Sequence, residues 1–190
     1  WGRLTMKHAI AMSLNSAAVW TLNEIGVDTA FRFARDVGLN LPEDDKHLAM
    51  ALGGLTNGIS PLALAGAYSI FPSGGVYRAP HAIVRVIDSS GEEVLRWKDS
   101  GKRVLSEEEA YLMTDMLRAV MEYGTGRSIE AAVPAAGKTG TTNDNVDLWF
   151  AGYTPEIVCV VYVGNDDREP IEGTSAQVAG TIWWDFLSQV

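Results

Sequence analysis

The sequence is poor in cysteine and has no concentrated positive charge. One cysteine, Cys159, is present in 190 residues, so no disulfide can form within the chain, and cysteine usage does not decide the redox compartment. Cys159 lies in an apolar run, 157–163, where a buried small side chain is expected. Acidic residues outnumber basic ones by 24 to 15 without a Lys/Arg cluster, which argues against a nucleic-acid partner.

Long hydrophobic runs are also missing. No stretch approaches the roughly 18 apolar residues of a membrane-spanning helix, so we expect no membrane contact from the chain itself. The start, Trp1-Gly2-Arg3-Leu4, has no methionine and none of the layout of a secretion signal. We therefore expect the chain to be a piece of a longer protein.

Several common catalytic motifs are absent. The sequence contains no Gly-x-Ser-x-Gly turn, no His-Glu-x-x-His and no glycine-rich phosphate loop, and His8, His47 and His81 stand far apart. No group of residues has metal-ligand spacing, and the acidic stretch 166–169 is expected to be a solvated loop. The sequence predicts neither a metal nor a cofactor.

Hydrophobic periodicity predicts helices in the first half and strands near the end. The first two predicted helices are 3–12 and 16–25, and a third is capped by Asp28 and ended by Gly38. A fourth begins at Ser60-Pro61 and runs through Tyr68, and a fifth begins at the capping box Ser106/Glu109 and ends at Gly124. The last predicted helix is 177–189. The predicted strands are a hairpin of 82–88 with 93–97, then 136–142, 147–153 and 157–163. This order indicates an α+β fold, an antiparallel β-sheet with helices packed on both faces.

One short segment combines residues suited to binding a peptide carboxylate. Lys138 offers a positive charge, and Thr139 and Thr141 offer hydroxyl donors. Gly140 has no side chain, so an extended substrate can approach the strand and pair with its backbone. The N–H of Thr141 could form half of an oxyanion hole.

A second polar element lies at the predicted break between the first two helices. Ser13 and Asn15 can both project into a cleft while Leu14 packs inward. Ser13 is a candidate proton shuttle to the leaving or incoming amine, and Asn15 could hold a lysine ammonium or the amide carbonyl of the substrate. Both residues also suit helix capping, and the two roles are compatible.

The chain resembles the C-terminal part of the transpeptidase domain of class A (bifunctional) penicillin-binding proteins. The resemblance is carried, in order, by Ser13-Leu14-Asn15, 51–54, 60–62, 67–68, 74–77, 111–117, Gly124-Thr125-Gly126, Lys138-Thr139-Gly140 with 141–144, and 147–155. It implies a fold shared with serine β-lactamases, serine acyl transfer that crosslinks peptidoglycan, and acyl-D-Ala-D-Ala stem peptides and β-lactams as ligands. It also implies a location on the extracytoplasmic face of the bacterial membrane, anchored by an upstream segment.

The sequence departs from this family in one respect, since no serine is followed by lysine at the third position. Ser100 comes nearest, with Lys102 two residues on. The resemblance thus implies an incomplete domain that lacks the N-terminal strands and the nucleophile helix. We expect it to pair with this missing segment of the same domain, which could be a separate chain. A non-catalytic sensor module for penicillin or peptide is an alternative. A β-lactamase is disfavoured, because no glutamate has asparagine four residues later.

Overall fold

A computed structural model describes residues 2–98 and 100–190. The helices described are α1 (Met6–Ala11), α2 (Asn15–Ile25), α3 (Val27–Asp36), α4 (Pro61–Tyr68), α5 (Glu107–Glu122) and α6 (Ala179–Leu187). The strands described are β1 (Val76–Tyr77), β2 (Arg85–Ile87), β3 (Glu93–Arg96), β4 (Lys102–Arg103), β5 (Ala136–Thr141), β6 (Asp147–Tyr153) and β7 (Val158–Gly164). Single 3-10 turns occupy Glu43–Asp45, Leu48–Leu52 and Asn143–Asn145.

The three predicted C-terminal strands form an antiparallel sheet in the order β5-β6-β7. Gly140 pairs with Trp149, and Gly152 pairs with Cys159. Since β6 is the middle strand, β5 and β7 each keep an open edge within the described part of the chain. The sequence-based expectation of an antiparallel sheet is confirmed.

Helices cover both faces of this sheet, as predicted. On one face Phe150 packs against Trp183 of α6, and both side chains are 0% exposed. On the other face Ala136 and Tyr153 pack against Leu117 of α5. Strand alternation therefore places Lys138 on the α5 face, two residues from Ala136, and Thr139 and Thr141 on the α6 face.

Side-chain caps set several helix starts. Ser60 Oγ accepts a hydrogen bond from Ala63 N (3.1 Å), and the Ser106/Glu109 capping box is present, as predicted. The predicted cap of the third helix was wrong. Gly26 precedes α3, and Asp28 lies in its first turn, where its carboxylate pairs with Lys46 (2.5 Å). A carboxylate in a first turn also interacts favourably with the helix dipole.

The predicted hairpin 82–88/93–97 forms as the β2–β3 pair, with all its strand residues exposed. A second pair, β1 with β4, was missed because two-residue strands give no periodic signal. Among the described residues, no helix is both long and apolar enough to cross a bilayer.

Candidate active site

Ser13 terminates α1 in a left-handed conformation. Its φ is 53°, and Ser13 N and Leu14 N donate to Ile10 O (3.1 Å) and Ala9 O (3.0 Å). Serine rarely adopts this conformation because Cβ crowds the backbone. Because this turn ends the helix, the Ser13 side chain is exposed and lies beside the sheet.

The structure brings Ser13 and Lys138 together across 125 positions of sequence. Lys138 Nζ donates to Ser13 Oγ (2.7 Å) and to the carbonyl of Thr139 (2.8 Å). Lys138 makes no ion pair with any residue that the structure describes. Burial without a counter-charge lowers the pKa of the Lys138 amine to about 8.

Asn15 lies near this pair but outside it. It is the first residue of α2, so this helix begins one position earlier than the segment 16–25 predicted from sequence, and the Asn15 side chain is exposed. The Asn15 amide makes no hydrogen bond to another described residue. Its donors and acceptor therefore remain available to a ligand.

Thr139 and Thr141 hydrogen-bond to two hydroxyls on the α6 face. Thr139 Oγ1 lies 2.6 Å from Thr125 Oγ1, and Thr141 Oγ1 lies 2.6 Å from Ser175 Oγ. The ammonium of Lys138 and the two threonine hydroxyls thus belong to opposite faces of β5. A single ligand can reach all three groups only along the open edge of the strand.

The hydrogen-bonding pattern between β5 and β6 decides which backbone N–H groups of β5 face that open edge. Thr142 N donates to Asp147 O (3.1 Å), so every second residue back from Thr142 directs its N–H toward β6. The N–H groups of Thr139 and Thr141 therefore point away from the sheet. Gly140 between them adds no side chain that could block an approaching peptide.

Two residues of this arrangement were not singled out from sequence as site residues. Thr125 belongs to a segment, Gly124-Thr125-Gly126, that carried the resemblance without a role, and Ser175 belongs to none. Ser175 is 2% exposed and lies 35 positions from Gly140, so no local pattern links them. The only sequence signal for Ser175 is a polar residue just before a predicted apolar helix, and its burial becomes evident only in the structure.

Comparison with known sequences decides the family. The profile of the family described as penicillin-binding protein transpeptidase domain matches residues 1–187. The chain belongs to this transpeptidase family. The class A resemblance inferred from sequence is confirmed.

Two curated proteins are among the relatives of this chain. Penicillin-binding protein 1F of Bacillus subtilis is 45% identical over 174 residues, which cover 88% of this chain and 24% of the relative. Penicillin-binding protein 1A of Clostridium botulinum is 33% identical, with 100% of this chain and 23% of the relative covered. The chain thus spans about a quarter of the length of these curated relatives.

Solved structures share the fold of this chain. Penicillin-binding protein 1A of Haemophilus influenzae superposes with a TM-score of 0.85 at 23% identity, over 98% of this chain and 34% of that one. The PonA1 protein of Mycobacterium tuberculosis, solved in complex with penicillin V, gives 0.82 at 21% identity, over 97% and 55%. These similarities extend the fold assignment to almost the whole chain.

Proposed function

We propose that this chain forms two walls of a peptidoglycan D,D-transpeptidase cleft, in which Ser13 and Asn15 face the strand of Lys138, Thr139, Gly140 and Thr141. The observation that carries the proposal is the 2.7 Å hydrogen bond between Lys138 Nζ and Ser13 Oγ. It joins the only two candidate motifs of the sequence. Residues so distant in the chain meet here beside an open sheet edge.

The ligand is the C-terminal carboxylate end of an acyl-D-Ala-D-Ala stem peptide, or a β-lactam that carries the corresponding carboxylate. Lys138 is a half-buried cation without an anionic partner among the described residues, and a ligand carboxylate would supply that partner. The outward N–H groups of Thr139 and Thr141 suit an extended peptide added to the edge of β5.

Ser13 and Lys138 carry the proton in this reaction. A nucleophilic serine passes its proton to its activating lysine and forms an ester with the acyl carbon as the bond to the leaving D-alanine nitrogen breaks. Ser13 Oγ gives its proton to that nitrogen, and the Lys138 ammonium replaces it. An amine with a pKa near 8 exchanges protons readily at neutral pH.

The nucleophile comes from outside this chain, which is inactive alone. No serine here has lysine three residues on, and the curated relatives are about four times as long. The preceding segment of the same domain, either continuous with this chain or on a separate chain, supplies the serine and its activating lysine. Such a protein acts at the extracytoplasmic face of the bacterial membrane, held there by an upstream anchor.

Labelling with a fluorescent penicillin tests this proposal. The full-length protein should form a covalent adduct, whereas this chain alone should form none. Lys138→Ala in the full-length protein should slow labelling at least about 100-fold, the lower range for loss of a proton-transfer group. Lys98→Ala serves as the matched control, since Lys98 lies beyond the β2–β3 hairpin. Labelling of the isolated chain, or an unaffected Lys138→Ala protein, would refute the corresponding part of the proposal.

A further inference from the structure

A buried serine behind β5 has no part in the chemistry proposed above. Ser175 precedes α6, and its carbonyl accepts from Gly180 N (2.9 Å) within the first turn of that helix. Its side chain is 2% exposed and points at the Gly140–Thr141 junction. A hydroxyl so buried is not a ligand contact, and its partners therefore define its role.

The direction of each hydrogen bond at Ser175 follows from the partners. Ser175 Oγ lies 2.6 Å from the carbonyl oxygen of Gly140 and 2.6 Å from Thr141 Oγ1. A carbonyl only accepts, so the single proton of Ser175 goes to Gly140. Thr141 must then donate its proton to Ser175. Ser175, just before α6, thereby holds both the carbonyl oxygen of Gly140 and the hydroxyl of Thr141.

The carbonyl of Gly140 and the N–H of Thr141 belong to the same planar peptide unit. They point in opposite directions, so a donor that fixes the carbonyl also fixes the direction of the N–H. That N–H faces the open edge and is the oxyanion-hole candidate. The carbonyl of Gly140 also faces β6, where Gly140 pairs with Trp149, so Ser175 adds a second donor to a peptide unit that the ladder already orients. The unit follows a glycine, whose missing side chain gives little resistance to small rotations.

We infer that Ser175 is a positioning residue, which aims the Thr141 N–H at the oxyanion through the peptide unit it shares with Gly140. The inference rests on the proposed function and goes beyond it, because Ser175 never touches the substrate. An oxyanion forms only on the way to the acyl-enzyme, so the contribution of Ser175 belongs to the rate of acylation and not to ligand affinity.

The test measures acylation of the full-length protein by a chromogenic cephalosporin under single-turnover conditions. The dependence of the observed acylation rate on cephalosporin concentration separates the dissociation constant from the acylation rate constant. Ser175→Ala should lower the rate constant about five- to tenfold, the equivalent of one neutral hydrogen bond, and leave the dissociation constant within about twofold. Thr174→Ala is the matched control, because among the described residues its hydroxyl hydrogen-bonds only with Gln177 of the same turn. It should leave both constants within about twofold of wild type.

Thr141→Val separates the two routes from Ser175. It removes the hydroxyl but keeps the backbone N–H, so Ser175→Ala should slow acylation by the same factor in this background. Loss of that effect would overturn the inference, because Ser175 would then act through the hydroxyl. A raised dissociation constant with an unchanged rate, or an unchanged rate in a folded Ser175→Ala protein, would also overturn it. Absence of acylation in the wild type would instead refute the proposed function, and this inference with it.

Discussion

The amine of Lys138 is held in an environment that is unfavourable for its charge. Ser13 Oγ and the Thr139 carbonyl accept from it, but neither carries a negative charge. Desolvation therefore dominates and lowers the pKa from 10.5 to about 8. Lys7 and Lys46 show the opposite behaviour, since the hydrogen bonds that they donate to Asp115 and Asp28 raise the pKa of each amine.

Lys138 should titrate well below Lys7 and Lys46. In NMR spectra of the ¹³C-lysine-labelled chain, the ε-methylene signal of Lys138 should titrate with a midpoint near pH 8. The signals of Lys7 and Lys46 should titrate only above pH 10.5, because their amines stay protonated longer. The unfolded chain binds the extra proton between about pH 8 and 10.5, so folding stability should rise with pH across that window.

The Lys138→Ala chain, which should lack the early signal, supplies the assignment. An added carboxylate ligand should move the midpoint upward, because the charged amine gains a partner. Above the midpoint, affinity for that ligand should fall about tenfold per pH unit. A midpoint near 10.5 in the free chain would contradict the burial of the amine.

Ser13 combines backbone strain with the proton-transfer role proposed for it. Its φ of 53° suits glycine, so Ser13→Gly should relieve strain that Ser13→Ala retains. We expect the free energy of unfolding of the glycine variant to exceed that of the alanine variant by about 1 kcal/mol, measured by thermal or urea denaturation. Both should acylate equally slowly in the full-length protein, because both lack the hydroxyl that bonds Lys138. Equal stability of the two variants would argue against strain at this position.

At the scale of elements, the contact of α1 with the end of α5 sets the distance between Ser13 and the sheet. Thr125 N donates to Ala11 O (3.0 Å), the carbonyl near the end of α1. A side chain at Gly124 would place its Cβ 2.2 Å from the same oxygen. Only glycine allows α1 to approach this closely, so Gly124 and Ser13 are structurally coupled.

Gly124→Ala should therefore separate the two walls. Forcing a methyl group against Ala11 O should cost about 1–3 kcal/mol of stability, measured by thermal unfolding. The Lys138 midpoint should move toward 10.5 as the amine gains solvent. Gly2→Ala, where an added methyl meets nothing within 4 Å, is the control. An unshifted Lys138 midpoint in Gly124→Ala would show that α1 does not position Ser13.

Regular elements could be predicted from sequence, but the contacts between them could not. The caps at Ser60 and Ser106 and the period-two strands leave local patterns, and these elements formed as predicted. The Gly26 cap was missed because Asp28 is the commoner capping residue. Ser175 and Thr125 reach β5 only through tertiary packing. Strand alternation alone puts Lys138 and Thr139 on opposite faces of β5, but the helix that covers each face becomes evident only in the structure.

At the scale of the molecule, the surface is large for the chain length. The accessible area is 11812 Å², whereas a compact monomer of 20.6 kDa has about 8,900 Å². Much of the exposed apolar surface lies on the helical half, including Trp20 (61% exposed) and Leu62 (67%). The outer edge of β7 also lacks a neighbouring strand within the described residues. Open edges and apolar patches of this kind drive association.

The isolated chain should therefore associate with itself, and the preceding segment of the full-length protein should prevent this. Light scattering after size exclusion should show oligomers or aggregates of the chain alone, with strong binding of a hydrophobic dye. Adding the segment that carries Ser-x-x-Lys in trans should yield a one-to-one complex and restore penicillin labelling, because the segment would cover β7 and complete the cleft. The same segment with its serine replaced by alanine should restore the complex but not the labelling. A monomer of the chain alone that unfolds cooperatively and binds no dye would show that the excess surface is stable in water.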